Sequence, residues 1–244
     1  MIVIPMAGLS RRFTEAGYGV PKYMLPLEGG TVFDHAVGSF RAYFEVIPFL
    51  FVARADSGTR DFVSAACARL GIADFRVLIL DRPTGGQAET VSLGLRAAQT
   101  PGETPVTIFN IDTFRSGFSF PSAAWWSASS GYLEVFRGGG ANWSYVKAAP
   151  GLGALVAETA EKVAISDLCC TGLYHFAAYS DFQFAFDAEC QGPTAAELYV
   201  APLYNHLIAD GRSVHFHLVG ESEIVFCGVP AEYEALAGSG KSTV

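Results

Sequence analysis

The sequence predicts an α/β fold, a mainly parallel twisted sheet with helices on both faces, and three observations carry that prediction. Short apolar runs of strand length alternate with stretches of helical spacing along the first half of the 244 residues. Right-handed crossovers turn that order into a parallel sheet covered on both sides. Half of the residues are hydrophobic, 50% by count, and a chain of this length buries about 70–75% of the surface its unfolded form exposes, enough for one large core. The first apolar run, Ile2-Val3-Ile4-Pro5-Met6, empties directly into the small turn Ala7-Gly8-Leu9-Ser10 and then Arg11-Arg12. A buried strand ending in such a turn presents successive backbone N–H groups to an anion, and the cations behind it add full charge. In such a sheet the active site belongs at the carboxyl ends of the strands.

The elements follow in order. Val32 to Tyr43 has helical spacing, Phe49 to Ala53 reads as a short buried strand, and Arg60 to Leu70 is helical again. Phe75 to Leu80 is a strand, Ala88 to Ala98 a helix and Val106 to Phe109 another buried strand. The texture changes at Gly131 to Ala148, where aromatic and β-branched residues surround three consecutive glycines without a helical period. That stretch is expected to form antiparallel strands or a loop, a smaller lid region on the substrate side. Beyond it come Leu168 to Phe176 (strand), Asp181 to Glu189 and Ala196 to Asp210 (helices), Ser213 to Leu218 and Ile224 to Cys227 (strands) and Ala231 to Leu236 (helix). No internal repeat is present.

Composition excludes several classes. Charged residues make up 16% of the chain, below the roughly 25% usual for soluble domains. Even so, no uninterrupted apolar segment approaches the ~20 residues of a membrane span, so no membrane partner is expected. The opening strand carries no charged leader or small-residue cleavage site, which favours a cytoplasmic location over secretion. The five cysteines (Cys67, Cys169, Cys170, Cys190, Cys227) are odd in number and lack C-x-x-C spacing, so they read as reduced core thiols. A formal charge of −8 without any basic run argues against a nucleic-acid partner. Any anionic ligand must instead be met locally, by a few Arg and Lys residues at one cleft. The aromatic residues, 13% of the chain, are scattered through apolar segments and belong mostly to the core. A homo-oligomer is an open expectation.

Taken alone, Arg11, Arg12 and Lys22 read as ordinary solvated charges. Joined to the apolar strand, the glycine turn and Pro21-Lys22-Tyr23-Met24-Leu25-Pro26, they read as a phosphate site. This order resembles the sugar-phosphate nucleotidylyltransferases, whose signature runs roughly Ala-Gly-x-Gly-x-Arg, a spacer, then Pro-Lys-x-Leu-Leu-Pro. The resemblance implies a Rossmann-like, GT-A-type nucleotidyltransferase fold, one catalytic domain over residues 1–244, and a Mg²⁺ cofactor. It places Ala7, Gly8, Leu9 and Ser10 on the nucleotide and makes Arg12 and Lys22 the catalytic cations. Ser10 stands where relatives have a second glycine.

Further stretches extend the resemblance. Pro83-Thr84-Gly85-Gly86-Gln87-Ala88-Glu89-Thr90-Val91 looks like the family's base-recognition turn, with Gly86 allowing close approach and Gln87 able to donate and accept on a base edge. The alternative is a turn in which Thr84 and Gln87 cap the next helix. Asn110-Ile111-Asp112, directly after a buried strand, resembles the motif carrying the family's metal aspartate, so Asp112 is the expected Mg²⁺ ligand. Many relatives supply a second ligand in Asp-x-Gly-Thr-Pro. Here the stretch is Phe226-Cys227-Gly228-Val229-Pro230, with Glu221 and Glu223 as nearby candidates.

Glu161-Lys162 resembles the pair that contacts the phosphorylated acceptor, and Cys170-Thr171-Gly172-Leu173-Tyr174 the strand beside it, which makes Lys162 and Gly172 acceptor-binding candidates. An acceptor phosphate must approach an anionic triphosphate, and two unit charges at 4 Å repel by about 4 kcal/mol at an effective dielectric of 20. The bland alternative for Glu161-Lys162 is an exposed surface pair. Glu197-Leu198-Tyr199 and Asn205 are expected no nearer than an acceptor-pocket wall.

Two features are set aside. Gly238-Ser239-Gly240-Lys241-Ser242-Thr243 imitates the end of a P-loop but has Ala235 at the first glycine position. His215-Phe216-His217 alternates along a strand without a third metal ligand nearby. The resemblance implies transfer of a nucleoside monophosphate from a nucleoside triphosphate onto a small phosphorylated acceptor, a sugar phosphate or another phosphate, with release of pyrophosphate, for surface polysaccharide or another activated precursor. A metal-dependent glycosyltransferase of similar architecture is the alternative, and a non-catalytic nucleotide-binding regulator ranks third.

Overall fold

The computed structural model describes residues 1–55, 58–193 and 196–238. Strand β1 (Ile2–Met6) leads through the short helix α1 (Arg11–Glu15) and the hairpin of β2 (Pro26–Leu27) and β3 (Gly30–Thr31) into α2 (Val32–Gly38). Then β4 (Phe49–Arg54), α3 (Thr59–Leu70), β5 (Phe75–Leu80), α4 (Gln87–Ala97) and β6 (Val106–Phe109) alternate as the spacing predicts. A short β7 (Thr113–Arg115) precedes four consecutive strands, β8 (Gly131–Arg137), β9 (Ser144–Ala148), β10 (Val156–Glu161) and β11 (Leu168–Phe176). The chain continues through α5 (Tyr179–Gln191), α6 (Leu203–Ala209), β12 (Val214–Leu218), β13 (Ile224–Phe226) and α7 (Pro230–Gly238).

Nine of the described strands share one sheet. β1 is buried along its whole length, with β4 parallel on one edge and β6 parallel on the other, and β5 continues beyond β4. Successive residues of β1 serve opposite faces, as the period of a strand requires. Val3 packs into a core with Leu50, Val52, Ile108, Val91 and Leu95, while Ile2 and Ile4 pack into a second with Phe33, Phe40, Phe49, Phe51 and Val63. One core lies under α4 and α5 and the other under α2 and α3, so both faces are covered by helices. β11 reverses direction. Its C-terminal half pairs antiparallel with β6, and its N-terminal half runs past the carboxyl end of β6 to pair with β9. β8 lies along the other edge of β11, with β12 parallel to β8.

Three expectations change in detail. Residues 131–148 divide: β8 is buried apart from Arg137 and belongs to the main sheet, and only the glycine link and β9, hairpinned to β10, stand at the substrate side. Helix 32–43 stops at Gly38, with a 3₁₀ turn over Arg41–Tyr43. Its start is fixed by a capping box, Asp34 N–H donating to Thr31 Oγ1 at 3.3 Å and Thr31 N–H to Asp34 Oδ2 at 2.8 Å. The helix expected from Ala196 is confined to α6, because Pro202 has no N–H to give to a preceding turn.

All five cysteines are free thiols, and Cys190 is exposed rather than in the core. His215 stacks on Trp125 with ring centroids 4.7 Å apart, and its Nδ1 is 2.8 Å from Ser129 Oγ. No described helix is long and apolar enough to cross a membrane. The P-loop-like tail lies, from Ser239 on, outside the described residues.

α4 approaches β4 through Gly94, where a Cβ would overlap the side chain of Val52. Gly94→Ala should lower stability by about 1–3 kcal/mol through overpacking, despite the better helix propensity of alanine. Adding Val52→Ala should restore part of the loss, so the double variant falls short of the sum of the singles in urea unfolding.

Candidate active site

A cavity of about 1020 Å³ opens along the carboxyl ends of β1 and β6, and Ala7, Gly8, Leu9, Ser10, Arg12, Lys22, Gly86, Gln87, Asp112, Lys162 and Gly172 all line it. The turn after β1 brings Ala7, Gly8, Leu9 and Ser10 to one rim and feeds α1, whose first residues are Arg11 and Arg12. Ser10 has φ 49° and ψ 32°, the left-handed conformation that glycine adopts freely. A residue with a Cβ holds it at roughly 1–2 kcal/mol, and its hydroxyl caps nothing in α1. Three described non-glycine residues have positive φ: Ser10, Gln99 and Lys162. Two of the three line the cleft, which is where strained backbone tends to gather.

The floor is built at the end of β6. Asp112 receives the ammonium of Lys22 directly, and both side chains are about one-fifth exposed, so the pair faces the cavity. Cys227 N–H donates to Asp112 O at 2.8 Å and fixes the turn. Burial and the neighbouring Asp112 carboxylate push the Cys227 thiol up to about 12, so it stays neutral behind the site. Asn110 N–H donates to Gly172 O at 3.1 Å, while Gln87 Nε2 donates to Asn110 Oδ1 at 2.6 Å and leaves the Gln87 carbonyl oxygen unengaged by that bond. Gln87 is therefore not the cap of α4. Gly86 is crowded by the main chain of Leu198, whose N–H donates to Gly85 O at 2.9 Å and whose carbonyl accepts from Ala88 N–H at 2.8 Å. Its missing side chain is needed for that packing.

The opposite wall comes from the β9–β10 hairpin and the segment before α6. Lys162, with φ 57°, places its ammonium 4.6 Å from the ring centroid of Tyr199 and donates to the Tyr199 hydroxyl, a bond that raises the lysine above its ordinary range. Glu161 accepts from Ser144 Oγ, and burial raises its carboxyl against the pull of that bond and of Lys162. Glu161, half-buried, and Lys162, exposed, both line the cleft wall. Asn205 ties down the hairpin, its Oδ1 accepting from Thr159 N–H and its Nδ2 donating to Thr159 O, both at 2.8 Å.

Asp112 presents oxygen ligands of the hard kind that Mg²⁺ prefers, but the described residues include no cluster of three His, Cys, Asp or Glu able to hold a metal alone. Phe226 packs at 4.6 Å from Trp143 and 5.3 Å from Phe136, an aromatic cluster at the edge of the cavity. Of the two expected substitutes, Glu223 is turned to Arg115 at 3.3 Å, and Glu221 does not line the cavity. Glu232 does line it, but its carboxylate accepts from the N–H groups of Gly228 at 2.7 Å and Val229 at 3.2 Å. A Cβ on Gly228 would stand 3.1 Å from Asp112 Oδ2 and 3.8 Å from Glu232 Oε2. One carboxylate with phosphate oxygens and water suffices for Mg²⁺, so the residues fit the ion when it arrives with a phosphate.

Sequence reasoning missed Trp143, Glu232 and the structural role of Asn110. Glu232 carried a readable signal, since Pro230 opens α7 and an acidic residue in the first turn is a helix-start signature. Trp143, after three glycines, carried none.

A glycine-containing turn, cations and a Lys–Asp pair gathered in one cavity at the carboxyl edge of an α/β sheet form the setting in which this class of fold takes its ligands, with phosphate groups suited to such a turn. No family model matches the sequence, and a search of curated proteins finds no relative. Among solved structures, a nucleoside-diphosphate-sugar pyrophosphorylase from Vibrio cholerae RC9 is 48% identical, over 98% of this chain and 100% of that one, with a TM-score of 0.92. The chain belongs to this nucleoside-diphosphate-sugar pyrophosphorylase family. An inositol-1-phosphate CTP transferase from T. maritima shares the fold at 15% identity, covering 99% and 97% of the two chains with a TM-score of 0.74. A UTP-bound UGPase from Acinetobacter baumannii does so at 16% identity, covering 97% and 91% with a TM-score of 0.68.

Gly172 has φ 97°, and a Cβ there would overlap the side chain of Asn110. Gly172→Ala should displace Asn110 and with it Gln87, weakening nucleotide binding by about tenfold or more while the remote core holds. Calorimetric titration with the preferred triphosphate, beside circular dichroism of the same sample, checks both halves.

Proposed function

We propose that Arg12 and Lys22 are the catalytic cations of this nucleotidyltransferase and that Asp112 holds a magnesium ion. The enzyme moves a nucleoside monophosphate from a nucleoside triphosphate and releases pyrophosphate. In the proposed reaction an oxygen of the acceptor phosphate attacks the α-phosphorus in line, the bond from that phosphorus to the β-phosphate oxygen breaks, and pyrophosphate leaves with the electron pair. The observation that carries this reading is the Lys22–Asp112 ion pair, set at the carboxyl end of the central strands beside the anion turn.

The N–H groups of residues 7–10 and the side chain of Arg12 take the phosphates of the nucleotide. Lys22 follows the charge that develops between the α-phosphate and the departing pyrophosphate. Gln87, braced by Asn110, offers its carbonyl oxygen to a base edge. Lys162 and the Gly172 strand receive the phosphorylated acceptor, a sugar phosphate or another small phosphate, and Tyr199 and Asn205 keep that wall in place. When bound, Mg²⁺ neutralises phosphate charge at Asp112. The product is an activated precursor of the kind used for surface polysaccharide.

The glycosyltransferase alternative is not favoured, because the structural relatives are pyrophosphorylases and related nucleotidyltransferases. Mixing each nucleoside triphosphate with sugar phosphates and non-sugar phosphates separates the readings. Pyrophosphate appears there for this enzyme alone, and a second mixture, of nucleotide sugars with acceptors, releases a nucleoside diphosphate only for a glycosyltransferase.

Removing the Lys22 ammonium should lower turnover by about 10²–10³-fold, by analogy with loss of one preorganised donor. Near-normal turnover of Lys22→Ala in the pyrophosphate assay would remove Lys22 from the chemistry. Asp112→Asn keeps size and polarity but discards the charge a hard cation favours, so activity should collapse while the thermal unfolding profile persists. A Mg²⁺ titration of that variant with the wild-type midpoint would place the ligand elsewhere.

A further inference from the structure

Beneath the cleft floor lies a buried polar cluster that the reaction leaves unused. Arg115, at the end of β7, and Glu134, in the middle of β8, have only 3% and 1% of their side chains exposed. Arg115 Nε donates to Glu134 Oε1 at 2.9 Å. Its Nη1 donates to the carbonyls of Ser116 at 3.0 Å and Glu223 at 3.2 Å, and to the Glu223 carboxylate at 3.3 Å. Thr171 Oγ1 donates to the same Glu134 oxygen at 3.0 Å. Glu134 Oε2 and the hydroxyl of Tyr132, on the same face of β8, are buried without a hydrogen-bond partner.

Stability alone does not account for this arrangement. Desolvating two charges consumes most of their attraction, and apolar residues of similar volume often do as well or better. What apolar residues cannot do is satisfy main-chain groups where a ladder is interrupted. The pairing of β11 with β8 shifts register between Cys170 and Tyr174, and the bulge at residues 171–173 turns Gly172 toward Asn110. Thr171 is anchored there at several atoms. Its carbonyl accepts from Thr113 Oγ1 at 3.1 Å, and its hydroxyl, besides donating to Glu134, accepts from Leu173 N–H at 3.3 Å. Arg115 anchors the other side. Its strand β7 pairs with β13, setting Ile224 opposite Arg115 and Phe226 opposite Thr113, and the next residue, Cys227, holds the carbonyl of Asp112. A single carboxylate oxygen thus joins the bulge that carries Gly172 to the strand that follows Asp112.

We propose that Arg115 and Glu134 are positioning residues for the transfer reaction: the buried pair fixes the Gly172 bulge and the Asp112 turn relative to one another without touching substrate. The inference rests on the assignment of Asp112 and Lys22 to the chemistry.

The test uses the full chain with Arg115→Met and Glu134→Met combined, which replaces the pair by unbranched apolar residues, together with Thr171→Val, Glu134→Gln and wild type. In the double variant kcat for pyrophosphate release should fall by about 10²-fold, the scale of an ångström-level misplacement. KM for the triphosphate should rise by less than kcat falls, because the bulge reaches the nucleotide only through Asn110 and Gln87 and the turn of residues 7–10 is untouched. Thr171→Val should shift kcat in the same direction, which keeps the test open should the double variant fail to fold. Glu134→Gln, still able to accept from Arg115 and Thr171, should retain more turnover than the double variant. Hydrogen exchange at the Leu173 and Cys227 amides should quicken by about tenfold or more, with Ile4 and Phe51 protected as in wild type. Wild-type kcat in a folded double variant, or loss of protection across the central strands in step with kcat, would make the pair structural only and overturn the proposal. If wild type releases no pyrophosphate with any substrate pair, the assignment of the reaction fails instead. The exchange at Leu173 and Cys227 then decides on its own whether the pair fixes the turn.

Discussion

β11 runs against β6, and the cleft depends on that reversal. A parallel strand in its place would end level with β1 and β6 and leave the carboxyl edge open. Because β11 enters from the far side, its N-terminal half stands beyond the edge, where it pairs with β9 and sets Gly172 O on Asn110 N–H. The β9–β10 hairpin, with Glu161 and Lys162 at its end, hangs from this overhang. The hairpin wall and the floor that bears Asp112 are therefore joined through one strand, with the bulge at its centre between them.

The parallel half of the sheet was legible because it is buried on both faces. Ile2–Met6 and residues 49–53 are apolar without alternation and Val106–Phe109 is broken only by the buried Thr107, which leaves few alternatives to a central strand. β10 was missed because Val156–Glu161 is half exposed and carries two glutamates. β7 has three residues and exists only because β13 lies beside it. β8 was read as lid material since its neighbouring glycines dominate the local texture, yet Tyr132, Leu133, Val135 and Phe136 are core residues. The site divides in the same way. Lys22 and Asp112 sit at positions that strand ends dictate, whereas Arg115, Glu134 and Thr171 come together from three strands through a register that no local pattern encodes.

Charge is used sparingly and in pairs. With a formal charge of −8 the chain offers a polyanion no general attraction. Its cleft cations are instead placed singly: Arg12 behind the first turn, Lys22 on Asp112, Lys162 on Tyr199. All three line the same cavity, so a ligand seated there meets them together.

The Lys22–Asp112 pair also bears on how ligands enter. A bare aspartate at the mouth of a triphosphate site would oppose the approaching polyanion, by about 1 kcal/mol per charge at 4 Å even in full solvent. With its charge matched by Lys22, Asp112 adds no net charge to the cleft floor. Under the proposed assignment, free magnesium and free phosphate would each meet a partner already engaged in the Lys22–Asp112 pair. A metal–triphosphate complex brings both complements at once, and both halves of the pair can then change partners in one event.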